Sequence, residues 1–600
     1  MSKSTSIYNK YLLFIAGLGG LLYGIDVGVI AGALPYLQAT TNYSPAQLST
    51  VVAAVLLGSV LSSLFAGMLS DLFGRKKIMI LAGICFVLSV PVICVPEGFV
   101  FLVAGRILQG AAAGLIGVVV PLYLAECLTA DKRGFGTGMF QFMLTIGLVF
   151  AAAVGLYFAG HVESISAQEY ASAAARGVAI LDAKNFAWRA IFWACAVPGV
   201  IFSVGALFIS ESARWLHKTN RKDAALKALM RSRGKEGALA ELADMDAVSA
   251  KPEGDEKGAA APKDSLFQKK YIVPFVLAVV ILACNQATGV NSVLAYIVDV
   301  LKQSGLDGSM ANWGDLTVKI LNMLMTIVAM ILVDRKGRKF LLTLGTSGII
   351  VGLLGVAVLF LKSEREMENF TSKLNPAAYN FERVENVVDE KTGLDVIDEK
   401  TGKVKQELVK YRYFSEITQA EIQELMQKDE FVPAQVKFVC SVGDETIVKT
   451  LFVRADTPSA EREIKVPFAD DGKKFEVKSL EIGPLPSPAN GWLATAFFAI
   501  FIASFAVGPG VCVWLALSEL MPNRIRAMGM SIALLINQGV STLIAGTFLP
   551  VVGNFGYSTI FFFCAGCTVI YWITAVFFLP ETKGRTLEEI EAHFEGKKKL

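Results

Sequence analysis

Asp26 is a carboxylate inside a run that is otherwise uncharged from Tyr11 to Leu37. At membrane depth a carboxylate costs about 2.5–3.5 kcal/mol on insertion scales. A chain carries that cost only with a partner or a use. Arg106 is a second charge, in the fourth apolar run. Short loops make successive runs alternate in direction, so the first leads outward and the fourth inward. At 1.5 Å per residue, Asp26 stands roughly 23 Å above Tyr11 and Arg106 roughly 10 Å below Phe99. In hydrocarbon about 30 Å thick, both fall in the outer half at similar depth, so they can pair. An acid that trades a cation for a proton inside a membrane can couple proton movement to another flux. The alternative is a static ion pair that only locks two helices.

The elements that must hold these charges follow from composition. The chain has 600 residues, 54% of them hydrophobic and only 18% charged, which excludes an ordinary soluble domain and predicts a polytopic membrane protein. The apolar runs predict twelve spanning helices, at roughly 11–37, 48–70, 77–96, 99–125, 136–160, 187–209, 272–301, 316–333, 340–361, 492–517, 527–550 and 557–579. The net charge of +3 gives no reason to expect nucleic acid. The nine cysteines lie mostly in apolar runs, where Cys acts as a small hydrophobe, and Cys564 with Cys567 reads as packing. With only His161, His217 and His593, no metal site is expected, and no cofactor either. The first apolar run is too long for a cleavable signal peptide and has no credible cleavage site.

Loop charge sets the orientation. Arg75, Lys76, Lys77, Lys132, Arg133, Arg335, Lys336, Arg338, Lys339, Arg524 and Arg526 fall in alternate loops, and the short loops 39–46, 96–98 and 551–556 carry no Lys or Arg. Both termini are therefore expected in the cytoplasm, with the chain multi-pass in the plasma membrane, the inner one where there are two. Segment 211–270 is expected there too, helical from Arg221 to Met245 with an Ala/Lys/Pro/Gly linker after Ser249.

The chain repeats itself. Asp71-Leu-Phe-Gly74-Arg75-Lys76 after helix 2 returns as Asp334-Arg-Lys-Gly337-Arg338-Lys339 after helix 8. Glu126 precedes Arg133 by seven residues after helix 4, and Glu519 precedes Arg526 by the same seven after helix 10. Helix 6 ends in Ser210-Glu211-Ser-Ala-Arg214 and helix 12 in Pro580-Glu581-Thr-Lys583-Gly-Arg585. Three signals in one order predict two six-helix halves, 1–210 and 271–582, followed by a tail, 583–600, with a solute site between the halves near mid-depth. The second half is longer by about 130 residues between helices 9 and 10. It therefore divides into 271–362 and 490–582, around an extracytoplasmic insertion, 363–489. Alternation predicts strands at Gln435–Cys440, Thr446–Val453, Glu463–Phe468 and Phe475–Ile482, and capping predicts a helix at Thr418–Lys428. The insertion reads as a small α+β element, with disorder expected over 385–405. Its single cysteine allows no internal disulfide, and it holds no catalytic set.

These motifs resemble the sugar porter family of the major facilitator superfamily. The resemblance rests on Gly20-Leu-Leu-Tyr-Gly-Ile-Asp26 in helix 1, the two Asp…Gly-Arg-Lys loops, and Gly105-Arg106…Pro121-Leu-Tyr123-Leu-Ala-Glu126 in helix 4. It also rests on Ser210-Glu211-Ser-Ala-Arg214, Gln286-Ala-Thr-Gly289-Val-Asn291 in helix 7, Trp514…Ser518-Glu519 in helix 10 and Pro580-Glu581-Thr-Lys583-Gly-Arg585. It covers nearly everything outside 363–489 and the middle of the 211–270 loop. Within the family it points to proton–xylose symporters of bacteria and, more distantly, to facilitative glucose transporters of animals. The fold implied is all-α, twelve transmembrane helices in two halves. The function implied is import of a monosaccharide or related polyol with a proton, by alternating access and without covalent chemistry. The partners implied are the solute, the proton and the bilayer, while any partner of 363–489 stays unnamed.

A sugar presents hydroxyls that donate and accept, and a C–H face. Gln and Asn amides offer a donor and an acceptor in fixed geometry, and an aromatic plate covers the apolar face. On the family positions, Gln141 of helix 5, Gln286 and Asn291 of helix 7, Asn537 of helix 11 and Trp514 of helix 10 are the expected solute contacts, with Asn285 and Asn322 as secondary ones. Each amide alone could equally be a helix–helix hydrogen bond. The chain departs from the family at Asn285, Ala295, Leu148 and Gln538, where a glutamine, a tyrosine, a second binding glutamine and a tryptophan usually stand.

The resemblance also implies a gate on the cytoplasmic side, built from Asp71, Arg75, Glu126, Arg133, Glu211 and Arg214 in the first half and Asp334, Arg338, Glu519, Arg526 and Glu581 in the second. Positive-inside anchoring explains the bases but not the paired acids. Gly508-Pro509-Gly510 in helix 10 predicts a bend, since proline removes a helical hydrogen bond. Three other readings stay open: a uniporter in which Asp26 is structural, a sugar sensor on the same fold, and a membrane-anchored enzyme whose domain is the insertion. The missing catalytic set disfavours the last.

Overall fold

The computed structural model describes residues 3–41, 43–96, 98–128, 133–170, 173–250, 269–373, 381–386, 406–416, 433–442, 445–453, 463–467, 475–521, 526–581 and 587–594. Twelve spans long and apolar enough to cross a membrane lie among them. Helices 1 to 6 are Lys3–Thr40, Pro45–Phe73, Arg75–Cys94, Phe99–Cys127, Arg133–Ser166 and Ala173–Phe208. Helix 7 is two pieces, Lys269–Ala287 and Val290–Gln303, followed by helix 8, Met310–Lys336, and helix 9, Arg338–Arg365. Helix 10 is also two pieces, Pro488–Val507 and Pro509–Leu520. Helix 11 is Arg526–Phe555, and helix 12 is Tyr557–Ile573 with a π turn at Thr574–Phe578. Every expected span is present. Odd-numbered helices run from the side that holds the chain termini (the terminal side) to the side that holds the strands (the insertion side).

Lipid gives helices no hydrophobic reason to associate, so close backbone contact must hold them. Gly20, Gly24, Gly28 and Gly32 recur every four residues on helix 1 and lie along helix 5. A Cβ on Gly24 would stand 1.9 Å from the Leu144 carbonyl oxygen, and one on Gly147 of helix 5 would stand 2.2 Å from that of Leu21. Helices 2 and 4 are joined the same way through Gly58 and Gly110. In the second half Gly345 and Gly352 of helix 9 take the backbone of helix 10.

The repeated loops fold alike. Gly74 and Gly337 have φ of 100° and 93°, a region that favours glycine. Behind each stands a glutamate from the end of its half. Glu211 accepts from the backbone N–H of Lys76 at 3.1 Å, and Glu581 accepts from those of Arg338 and Lys339 at 3.1 and 3.2 Å. These carboxylates cap the first turns of helices 3 and 9, where the helix dipole favours negative charge. That accounts for acids that loop-charge anchoring leaves unexplained.

Between the halves, a short helix at Ala213–Lys218 and a longer one at Lys222–Ala250, kinked at Gly234, pack on the terminal side of the first half. Arg233 donates to the Cys127 carbonyl at 3.0 Å, Asn9 to that of Ser232 at 2.9 Å, and the Arg231 guanidinium lies 4.3 Å from the Tyr8 ring centre. Hydrogen bonds from Lys222 and His217 hold the Asp246 carboxyl below its usual range. The longer helix runs through Ser249 and Ala250, where the linker was expected to begin, and the rest of that linker, from residue 251 on, lies outside the described residues.

The insertion forms two antiparallel sheets. The strands are β1 Glu368–Asn369, β2 Phe381–Asn386, β3 Gln406–Glu416, β4 Ala434–Val442, β5 Glu445–Val453, β6 Glu463–Pro467 and β7 Phe475–Pro484. One sheet has the order β1-β7-β4-β5 and the other β2-β3-β6. The four expected strands are β4 to β7, while β1, β2 and β3 were not anticipated. The expected helix at 418–428, and the expected disorder beyond Asn386, lie outside the described residues. Phe370, Val436, Phe438, Cys440, Leu480 and Ile482 make the buried centre. The insertion rests on both halves: β5 lies against helix 2, a Cβ on Gly553 of helix 11 would stand 3.1 Å from Val448, and Gln435 donates to Gln303 at 3.4 Å.

The strands that lead in and out are neighbours, since Glu368 pairs with Ile482 and Asn369 with Glu481. Antiparallel partners stand about 5 Å apart, so a short turn can close that gap. Replacing 371–479 by a four-residue Gly/Asn turn should therefore leave a folded protein that still binds its solute. Size-exclusion profile and calorimetric titration measure this. A monodisperse deletion that binds nothing would make the insertion part of the site.

Candidate functional site

Four side chains form a hydrogen-bonded chain at the break in helix 7. Asn537 of helix 11 donates to the Leu282 carbonyl at 2.9 Å and accepts from Gln286 Nε2 at 3.3 Å. Asn291 Nδ2 donates to Gln286 Oε1 at 3.0 Å and to Ser541 Oγ at 2.8 Å. Gln286, Asn291 and Asn537 were expected together, and Ser541 was not. Its position four residues after Asn537 on helix 11 was the available signal.

The backbone explains why these amides converge. Gly289 is left-handed, φ 80° and ψ 13°, and separates the two pieces of helix 7. The freed carbonyls are satisfied locally, because Thr288 Oγ1 donates to Asn285 O at 2.7 Å and Gly289 N to Gln286 O at 2.9 Å. Gln286 thus ends one piece while Asn291 begins the next, and each amide can tilt with its own piece. The bend expected in helix 10 is also present. Gly508 has φ −104° and ψ −93°, and Pro509 opens the second piece.

The other expected contacts are placed differently. Gln141 is half-buried, while Asn285 and Asn322 are buried. None of the three is joined to the amide chain by a described hydrogen bond. Asn285 Oδ1 has no hydrogen-bond partner among the described residues. The Trp514 side chain lies outside what is described.

Asp26 and Arg106 do meet. Arg106 Nη1 stands 3.8 Å from Asp26 Oδ1, and both side chains are 1% exposed. This is a charge contact without a hydrogen bond. Arg106 Nη1 instead donates to Gln109 Oε1 at 2.7 Å, and its guanidinium lies 5.7 Å from the Phe192 ring centre. Asp26 Oδ1 and Arg106 Nε are buried without hydrogen-bond partners among the described residues. A carboxyl oxygen held this way can take a proton without breaking any hydrogen bond. Gln109, one turn along helix 4, was missed as the competing acceptor. Tyr23, one turn before Asp26, lies beside Ser59 of helix 2 and Gln538 of helix 11. The charge pair and the amide chain are therefore neighbours across the two halves.

On the insertion side the halves touch. Gln38 donates to Asp299 at 2.7 Å, and Tyr296 OH donates to Ala545 O at 2.9 Å and lies 3.3 Å from Ser49 Oγ. Tyr296 stacks on Phe548 with centroids 4.4 Å apart. On the terminal side, the described bonds of the expected gate residues run within one half. Arg75 pairs with Asp71 and Glu126, each at 2.8 Å, and Ser212 donates to Glu126. Arg338 donates to Val333 O at 3.5 Å, as Arg75 does to Ser70 O at 3.1 Å, and Arg214 is exposed. The side chains of Arg133, Asp334, Glu519 and Arg526 lie outside what is described.

The profile of the family described as "Sugar (and other) transporter" matches residues 12–375 and 479–594. The chain belongs to that family. The match skips most of the insertion. The glucose transporter GlcP of Staphylococcus epidermidis is 25% identical over 586 residues, covering 97% of each chain. The galactose-proton symporter of Escherichia coli (strain K12) is 23% identical over 599 residues, 100% of this chain and 97% of that one. Among solved structures, the inward open conformation of the xylose transporter XylE from E. coli superposes with a TM-score of 0.62 at 20% identity, over 97% of this chain and 98% of that one. The fold is that of the major facilitator superfamily, and the protein is a multi-pass membrane transporter rather than an enzyme.

Truncating either amide at the helix 7 break leaves neighbours unpaired. Gln286→Ala and Asn291→Ala should each weaken binding of the transported solute by about 1–3 kcal/mol. Titration of the purified variants reads this directly, and wild-type affinity in both would place the binding site elsewhere.

Proposed function

We propose that this transporter imports a monosaccharide, or a related polyol such as an inositol, together with a proton. The observation that carries the reading is the Asp26–Arg106 contact. It is fully buried, at 3.8 Å, with the carboxyl oxygen left without a hydrogen bond among the described residues. Burial disfavours the charged acid and Arg106 favours it, so a small change in their separation decides whether Asp26 holds a proton. The amide chain of Gln286, Asn291 and Asn537 suits hydroxyls, and Gln141, Asn285, Asn322 and Trp514 complete the proposed lining. The names of relatives that carry glucose, or galactose with a proton, support this class.

The cycle runs by alternating access. By the loop-charge rule the termini lie in the cytoplasm of a plasma-membrane protein, and the insertion side faces out. Outward opening wets Asp26 and loads the proton. Solute binding and closure favour the neutral acid. Inward opening restores the Arg106 contact and expels the proton. The terminal-side network of Asp71, Arg75, Glu126, Arg133, Glu211 and Arg214, with Asp334, Arg338, Glu519, Arg526 and Glu581, biases this equilibrium. Each exposed pair contributes only about 0–1 kcal/mol, and a closely balanced equilibrium responds to that.

Asp26→Asn keeps the shape of the acid and mimics its neutral state. It should retain solute binding and exchange of labelled for unlabelled solute, while gradient-driven accumulation falls to an inside-to-outside ratio of about one. Uptake and counterflow in proteoliposomes, with and without an imposed pH gradient, are the measurements. A variant that still concentrates solute under the gradient would rule out Asp26 as the coupling group and leave the static ion pair.

A further inference from the structure

Helix 8 carries a second buried pair of charges. Lys319 Nζ donates to Asp315 Oδ2 at 2.8 Å, and the side chains are 0% and 2% exposed. Asp315 Oδ1 is buried with no hydrogen-bond partner among the described residues. Both charges sit on one helix, four residues apart, so the pair ties no two elements together. Such a pair adds little to a helix, and withdrawing both charges from water costs more than their contact returns. Packing alone gives this pair no purpose.

Its direction is fixed by its neighbours. Asn312, Asp315, Lys319, Asn322 and Thr326 recur at intervals of three and four, so they share one face of helix 8, and all are buried. Asn312 and Met330 bracket that stripe, and both meet glycines of helix 5. A Cβ on Gly155 would stand 3.5 Å from Asn312 Oδ1, and one on Gly138 would stand 2.9 Å from Met330 Sδ. The stripe therefore faces helix 5 across the boundary between the halves. The antiparallel register set by those two contacts brings Ala152 level with Asp315 and Leu148 level with Lys319. Both are buried and apolar. With the insertion side shut, as here, both charges are withdrawn from bulk water.

We propose that Asp315 and Lys319 oppose closure of the insertion side, and so set the resting balance of the transport cycle. Parting the halves there hydrates the pair, and closing them strips that water away. The proposal rests on the alternating-access reading above but on no feature of the Asp26 site.

The sign of the effect separates this role from a structural one. Asp315→Asn or Lys319→Met alone leaves a charge that is buried and unpaired on closure. Each should hold the insertion side open, so that amides in 149–166 and 303–320 exchange with deuterium about threefold faster than in wild type. Net uptake of the transported sugar should fall about tenfold. The double variant, Asp315→Leu with Lys319→Met, buries no charge. It should shift the other way, with slower exchange than wild type in the same segments and uptake above that of either single variant.

Mass-spectrometric exchange on the full purified chain, and uptake in proteoliposomes, read both quantities. A double variant that exchanges as wild type does, or faster, overturns the proposal whatever the single variants do. The double variant therefore decides the matter even if an unpaired charge stops the single variants from folding. Opposite shifts in a wild-type background that moves no sugar or polyol would overturn the sugar-or-polyol reading and leave this one standing.

Discussion

Hydrocarbon offers no hydrogen bonds, so a polar group at membrane depth must find its partner inside the protein. That constraint organises this molecule more than any single contact. Arg106 satisfies it through Gln109 and the nearby charge of Asp26. The amides satisfy it by bonding in series from Leu282 to Ser541. Asp315 and Lys319 satisfy it with each other. In the two charge pairs a buried donor or acceptor is left over among the described residues, which is where an added proton or water can act.

The two halves divide this work unequally. Helix 1 is continuous and held to helix 5 by glycines along its length, so Asp26 sits on an unbroken helix. Its counterpart in the repeat, helix 7, is broken at Gly289, and helix 10 is broken where helix 4 runs on. The amide chain is built on the broken half. In the proposed cycle, an acid on an unbroken helix beside a jointed amide chain lets solute-driven motion change the surroundings of Asp26 without moving its helix.

Much of this was legible in the residues. Twelve spans follow from hydropathy because lipid demands long apolar helices. Strands β4 to β7 follow from alternation. The pairing of Asp26 with Arg106 follows from depth alone, since only helices of opposite direction bring those positions level. Other features depend on rotation and contact, which one sequence does not encode. Gln109 competes for Arg106 only because its side chain turns the same way. Gly289 is one glycine among many until its φ is known. Asp315 falls just before the expected start of helix 8 and Lys319 just after it, so the pair was divided by a helix boundary. Strands β2 and β3 were hidden by charge, as Glu and Lys or Arg interrupt the alternation in Phe381–Asn386 and Gln406–Glu416. Glu211 and Glu581 were read as gate acids, yet in this form they cap helix starts within their own halves.

The second piece of helix 7 joins the two ends of the problem. It begins with Asn291, which bonds both Gln286 across the break and Ser541 on helix 11. One turn further on it presents Tyr296, whose hydroxyl reaches Ala545 and, in the other half, Ser49. One turn beyond that is Asp299, which accepts from Gln38 of helix 1. These residues share fourteen continuous positions of helix with no break between them. A helix that short moves as a body, hinged at Gly289. Any displacement that re-aims Asn291 toward a solute hydroxyl must therefore also displace Tyr296 and Asp299 from the first half. Solute contact and closure of the insertion side are then linked by the stiffness of a single helix, and no relay of side chains is needed between them.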